Sequence, residues 1–353
     1  MTTTIERSAE TLGKSSGTVG IGVVGAGYWG PNLIRNFVNT PNARVLAVCD
    51  QQPARLEPIG RRYPGVALTA DMSVLLNDPA IDAVVIATPV SSHAALARQA
   101  LLAGKHVLVE KPMTSCTAEA EMLVDLAAQR RLTLMVDHTF LYTGAIRRIK
   151  QLIDTDELGE LYYYDSVRVN LGVFQQDVSV IWDLAAHDLS IMDYIVPDRP
   201  CRVSATAATH FSGGVADVAY LTVHFANNLI AHFHVNWLSP VKVRQVLIGG
   251  NRRMVLYDDI EPTEKVKVYD RGVHWTTDPS DLRRTANVAY RLGDMYAPML
   301  DQTEALQNEC AHFIDCIESG ATSLSDGLAG LRVVKMLEAA ERSLQVEGRP
   351  QDV

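Results

Sequence analysis

Residues 21–30 read IGVVGAGYWG, and this stretch decides the fold. An apolar run ends on Gly25-x-Gly27-x-x-Gly30, and the following PNLIRNFVNT has helical spacing, with Pro31 tolerated near its start. Strand, glycine turn and helix in that order are the context a dinucleotide-binding βαβ unit requires. Gly25 allows the tight turn, Gly27 lets the backbone approach a pyrophosphate, and Gly30 lets helix and strand pack closely. The helix N-terminus attracts phosphate charge. The next strand, RVLAVCD, ends on Asp50, which suits a ribose 2′-hydroxyl and repels a 2′-phosphate. Gln51 and Gln52 follow, and Arg55 is the nearest cation, so NAD is expected ahead of NADP. Tyr28 and Trp29, inside the turn, join the expected cofactor set.

Outward from this unit the alternation continues. DAVVIATP, HVLVEKP and LTLMVDH read as strands; SSHAALARQALLAG, capped by Gly104, and TAEAEMLVDLAAQRR read as helices. Strands alternating with helices indicate a parallel sheet. The character changes after about Phe140. One helix, GAIRRIKQLID, leads into LYYYDSVRV, CRVSATAATHF, VAYLTVHF, LIAHFHVNW, KVRQVLIGG, RMVLYDD and KVKVYD, all strand-like. Asn227-Asn228 and Gly249-Gly250-Asn251 sit between strands as hairpin turns do. Two helices close the chain. The expectation is α/β: an N-terminal doubly wound parallel sheet of Rossmann type over residues 18–140, then an α+β substrate-binding and oligomerisation domain over 141–353. That second domain is built on a large, mostly antiparallel open sheet.

Composition narrows the function. The chain has 353 residues and a formal net charge of −9, with no Lys/Arg cluster, so a nucleic-acid footprint is not expected. No run of about 18 apolar residues predicts a membrane span. Residues 1–17 lack an apolar signal core and read as a disordered polar tail; their GKSS run has Ser8 where a P-loop needs glycine. Five cysteines without C-x-x-C spacing read as free thiols of a cytoplasmic protein.

The chemistry gathers at strand ends. Ligands of doubly wound sheets bind outside the carboxyl ends of the strands. Thr88 and Pro89 lie at such an end, and His93 opens the next helix, as a cofactor contact or a polar first-turn residue. Lys111 stands at the end of HVLVE, and Pro112 keeps it out of helical conformation. A strand-end lysine can be a mere surface charge. Beside a cationic nicotinamide and partly desolvated, it has a lowered pKa suited to proton exchange. In WDLAAHDLSIMDYI, Asp183 and His187 are four apart and share a helical face, with Ser190 and Tyr194 continuing it. They read as an acid–base pair or as a capping Asp with a core His. A metal would need a third ligand that cannot be placed. His224, His232 and His234 read as polar residues on a sheet face, so no metal is expected.

In that order, strand-GxGxxG, ATPxxxH, Glu-Lys-Pro and Asp-x-x-x-His resemble the glucose–fructose oxidoreductase / inositol dehydrogenase / MocA family over residues 19–345. The resemblance implies NAD(P)-dependent oxidation or reduction of a sugar or inositol carbinol. It implies Lys111 as catalytic lysine, Asp183 and His187 as the second-domain pair, and Glu110 beside the nicotinamide ribose. GYWGPN, HTFLYTGAIRRIK, VRVNLG, WDLAAHDLSI and NWLSPVKVR look like members acting on UDP- or TDP-linked hexoses, amino sugars or uronic acids, often at C3. Departures are Tyr142-Thr143-Gly144 for Tyr-Asn-Pro, Glu304-Ala305-Leu306 for Glu-Pro-Leu, and Ala186 before the histidine where proline is common. Lys111 or His187 takes the hydroxyl proton, the other holds the oxygen, and Asp183 orients the partner. Tyr142, Arg168, Asn170 and Arg244 are candidate substrate contacts, an arginine suiting phosphate or carboxylate. A homodimer or homotetramer is expected. Free-sugar or inositol dehydrogenase and an NAD-binding regulatory subunit are the alternatives.

Overall fold

The computed structural model describes residues 17–172, 178–211, 214–276 and 287–353. Apart from Gly17, the tail expected over residues 1–17 lies outside the described residues. Six strands form a parallel sheet: β1 (Val19–Val24), β2 (Ala43–Cys49), β3 (Ala67–Thr69), β4 (Ala83–Ile86), β5 (His106–Glu110) and β6 (Leu134–Asp137). Their order is β3-β2-β1-β4-β5-β6, so the winding reverses between β1 and β4. Helices α1 (Gly30–Asn39), α2 (Pro53–Arg62), α3 (Met72–Asn77), α4 (Val90–Leu102) and α5 (Thr117–Arg130) make the crossovers. Every residue of β1 is buried, which explains its unbroken apolar run: a sheet covered on both faces has no polar side.

The glycine turn follows from space. Gly25 has φ +99, and a Cβ there would lie 2.4 Å from the Ala87 carbonyl oxygen. A Cβ on Gly30 would lie 2.1 Å from the Gly25 oxygen, so Gly30 lets α1 close onto the turn itself. At Gly27 nothing comes nearer than Arg55 Nη1 at 3.8 Å.

A short 3-10 turn (Thr139–Tyr142) and α6 (Gly144–Asp154) lead to the second sheet. Thr143 caps α6 by accepting from the Ile146 amide, and a Cβ on Gly144 would strike the Asp301 oxygen at 2.2 Å. The departure from Tyr-Asn-Pro is therefore a capping threonine followed by a glycine that a neighbouring loop requires. The strands are β7 (Leu161–Leu171), β8 (Pro200–Ala208), β9 (Val218–Phe225), β10 (Ile230–Asn236), β11 (Leu238–Gly250), β12 (Met254–Asp258) and β13 (Val266–Tyr269). β14 (Gly272–Thr276) and β15 (Asn287–Arg291) pair separately; β16 (Met295–Tyr296) and β17 (Gln351–Asp352) edge the large sheet. Its order is β16-β13-β12-β11-β7-β10-β9-β8-β17, antiparallel except for β7 and β10. A π-helical turn (Ile181–Ala185) runs into α7 (Ala186–Ile195), and α8 (Ala305–Ser319) and α9 (Gly327–Gln345) follow.

Alternation on β9 and β10 decides which side the helices cover. Ala219, Leu221, Val223, Ala231, Phe233 and Val235 are buried in the core. Tyr220, Thr222, His224, Ile230, His232 and His234 occupy the open face, where Tyr220 stacks on His234. Arg35 on α1 grips Glu304, the residue before α8, through both carboxylate oxygens at 2.9 and 2.6 Å.

Candidate active site

A cleft of about 1100 Å³ lies at the carboxyl ends of β1, β2, β4 and β5. Its walls include Gly25, Gly27, Tyr28, Trp29, Asp50, Thr88, Pro89, Glu110 and Lys111 from the first sheet, and Trp182 and Asp183 from the second-domain segment. Asp50 is buried because it braces the glycine turn: its oxygens accept from the Ala26 and Gln52 amides at 2.8 Å each. Arg55 Nη1 stands 3.7 Å from the same carboxylate. No side chain caps the N-terminus of α1. The residues fit a dinucleotide: Gly27 leaves space where a Cβ would stand, the α1 terminus is uncapped, and Asp50 offers a carboxylate. Trp29 is fixed by its indole N–H, which donates to Asp137 Oδ2 at 3.0 Å.

His93 corrects the cofactor expectation. It is fully buried, with Nδ1 2.9 Å from the Pro112 oxygen and Nε2 2.7 Å from the Thr88 oxygen. Burial lowers its pKa, and a neutral ring carries one N–H, so it donates to one of these two oxygens while packing between the end of β4 and the segment carrying Lys111.

Lys111 Nζ donates to the Asp183 backbone oxygen at 2.8 Å and to Asp183 Oδ1 at 3.2 Å. Trp237 Nε1 donates to Asp183 Oδ2 at 3.1 Å. The Asp183 carboxylate thus serves Lys111 and Trp237, the lysine being one of the two partners expected for it. His187 lies one turn on, packed edge-to-face on Phe140 at 5.1 Å, with Nδ1 buried and unpartnered among the described residues. Burial pushes its pKa well below the usual histidine range, reinforced by Lys111, Arg168, His138 and Arg244. Glu110 is pushed well up by burial and by Asp137, which faces it across β5 and β6.

The substrate candidates divide. Tyr142 is corrected: it is fully buried, and its hydroxyl faces Ser325 at 3.1 Å, away from the cleft. Arg168 is also corrected: it is 3 % exposed and locked to Asp188 through Nε–Oδ2 at 2.7 Å and Nη2–Oδ1 at 2.9 Å. Its guanidinium lies 4.5 Å over the Phe140 ring, beneath His187's packing partner. Asn170, on β7, is half-buried. Arg244 is half-buried, 3.2 Å from Asp259. The reading from sequence missed Asp137, Phe140, Asp188 and Trp237. Asp137 had a signal: it ends β6 on the same edge as Lys111.

Comparison with known proteins places the whole arrangement in a family. Residues 19–138 match the model of an oxidoreductase family with an NAD-binding Rossmann fold, named GFO/IDH/MocA, and residues 146–255 match that family's C-terminal domain.

The chain belongs to the GFO/IDH/MocA oxidoreductase family.

It is thus an oxidoreductase with an NAD-binding domain. Bound there, NAD supplies the hydride acceptor and its reduced form the donor. Among family relatives, inositol 2-dehydrogenase of Rhizobium meliloti (strain 1021) is 26 % identical over 93 % of this chain and 97 % of its own length. UDP-N-acetylglucosamine 3-dehydrogenase of Acidithiobacillus ferrooxidans is 27 % identical over 89 % of this chain and 93 % of its own. Its solved structure superposes with a TM-score of 0.77, at 26 % identity over 93 % of this chain and 99 % of that one. GenD2 from gentamicin A biosynthesis, solved in complex with NAD, has the same fold: TM-score 0.79, 22 % identity, 99 % of each chain. Among the described residues no helix is long and apolar enough to cross a membrane.

Proposed function

We propose that the protein oxidises or reduces a secondary carbinol of an anionic sugar, a nucleotide-linked hexose or a uronic acid, with NAD(H). Lys111 is the group that exchanges or holds the hydroxyl proton, Asp183 orients it, and His187 is the second polar contact on the reacting oxygen. The carrying observation is a gathering of cations at this end of the cleft: Lys111 on its wall, and Arg168 and Arg244 at 4.5 and 5.8 Å over the Phe140 ring on which His187 packs. Arg244, whose side chain is the most exposed of the three, suits a substrate phosphate or carboxylate. The cleft also shares Val90, Ser91, Val178 and Trp182 with a neighbouring hollow of about 890 Å³, which is space beyond a lone hexose. Likeness to a UDP-N-acetylglucosamine 3-dehydrogenase supports the same class. The second reading, a free sugar or inositol, is favoured by one observation. Each of those cations faces a carboxylate, Asp183, Asp188 or Asp259.

The test is a panel of UDP- and TDP-sugars, uronic acids, free hexoses and inositols, followed by NADH absorbance. Turnover with the anionic sugars is expected. Lys111→Met should still bind NADH while losing about 10²–10⁴ in kcat, the usual worth of a general acid–base group. Turnover confined to neutral free polyols overturns the anionic-sugar reading; full turnover by Lys111→Met overturns the lysine's role.

A further inference from the structure

Oxidation of R₂CHOH to R₂C=O hands a hydride to NAD⁺ and frees one proton per turnover. The reverse direction consumes one. That proton has to pass between the site and water. We propose that His138 relays it between the catalytic centre and a small polar cavity behind the site. The inference rests on the reading of Lys111 and His187 as the groups that meet the carbinol.

His138 follows the last residue of β6 and is 1 % exposed, yet neither ring nitrogen has a partner among the described residues. Buried polar groups are nearly always satisfied, and an apolar residue would fill the same space at lower cost. The ring borders a cavity of about 170 Å³ whose walls include Ser190, Asp193, Tyr194, Arg199 and Arg332. That is room for several waters, with polar groups to hold them. The cavity reaches the surface at Arg199, whose side chain is 64 % exposed and pairs with Asp193 at 3.2 Å. Arg332 holds the other side of Asp193 at 2.7 Å.

The inner end of the path is His187. His187, Ser190 and Tyr194 stand at i, i+3 and i+7, one face of α7, so the wall of the cavity continues the wall that carries His187. Ser190 Oγ donates to the His187 carbonyl oxygen at 2.7 Å. The His187 Nδ1 atom is buried without a partner, and Phe140, two residues after His138, packs on its ring. Lys111 on one side and Asp137 and Asp193 on the other act on His138, while burial lowers its pKa to about 4. A neutral ring carries one N–H and one lone pair. It can accept a proton on one nitrogen and release the other, and a water chain completes the transfer without net charge on the ring.

The test uses the full-length enzyme and its best substrate from the panel, with NADH binding followed by fluorescence. His138→Phe should bind NADH normally and keep KM while kcat falls about tenfold or more. Its solvent deuterium isotope effect on kcat should rise, and added imidazole should restore His138→Ala. Ser190→Ala, which keeps the histidine, should raise the isotope effect with a smaller loss, and decides the matter if the His138 variants do not fold. Wild-type kcat and isotope effect in His138→Phe, or in Ser190→Ala where the His138 variants do not fold, overturns the relay. So does a loss in His138→Ala that imidazole does not restore with the isotope effect unchanged, which marks a packing role. Wild-type enzyme inactive on every sugar carbinol is a different outcome, and overturns the function on which the relay rests.

Discussion

Arg168→Met separates a structural arginine from a substrate-binding one. Both partners of the Arg168–Asp188 pair are about 3 % exposed in their side chains, and two hydrogen bonds at 2.7 and 2.9 Å join them. Removing the guanidinium leaves a buried carboxylate with no counter-charge, which costs about 3–5 kcal/mol. The Phe140 ring also loses the cation 4.5 Å above it, and His187 leans on that ring. The variant should therefore show a lower urea midpoint by tryptophan fluorescence and a reduced kcat, with substrate KM close to wild type. The double variant Arg168→Met with Asp188→Leu should regain most of the stability, since buried ion pairs replaced by apolar side chains are often neutral or better. A wild-type urea midpoint together with a KM raised about tenfold, 1.4 kcal/mol of binding, would refute the reasoning and return Arg168 to the substrate.

Two further outcomes follow from the same geometry. Gly27→Val should fold normally, because the nearest atom to a new Cβ is the end of Arg55 at 3.8 Å, yet weaken NADH binding at least tenfold (about 1.4 kcal/mol) in a fluorescence titration. Normal affinity in that variant would show that no pyrophosphate approaches this glycine. Stability should also fall with acid. His138 has a folded pKa of about 4 against 6.5 when unfolded, so below pH 6.5 the unfolded chain binds more protons. Its contribution is present above pH 6.5 and is lost progressively down to pH 4, about 3 kcal/mol in all. His187 adds in the same direction. Urea midpoints across that range should slope upward with pH, and less steeply in His138→Phe; equal slopes would contradict the buried, neutral histidine.

Local rules carried the first sheet. The run into Gly25-x-Gly27-x-x-Gly30 has to be a covered strand and a tight turn, because backbone space at Gly25 and Gly30 admits no side chain. The positions of Asp50 and Lys111 were legible too: each stands just past the carboxyl end of a strand, where a doubly wound sheet faces its ligand. Spacing alone misled where a partner lies far along the chain. Arg168 and Tyr142 read as free polar groups, but a carboxylate twenty residues on and hydroxyls near residue 325 claim them. His93 stands where a cofactor contact was expected, and its buried ring faces two backbone carbonyl oxygens instead.

The sequence by itself determined the parallel sheet, its glycine turn and the strand-end lysine, since period, glycine space and strand direction are local properties of the chain. The tertiary structure alone decided which carboxylate meets that lysine. The packing of the turn Ile181–Ala185 against the end of β5 brought Asp183 to Lys111 across seventy-two residues. Charge pairing acts through space, and the distances that set it exist only once both sheets are in place.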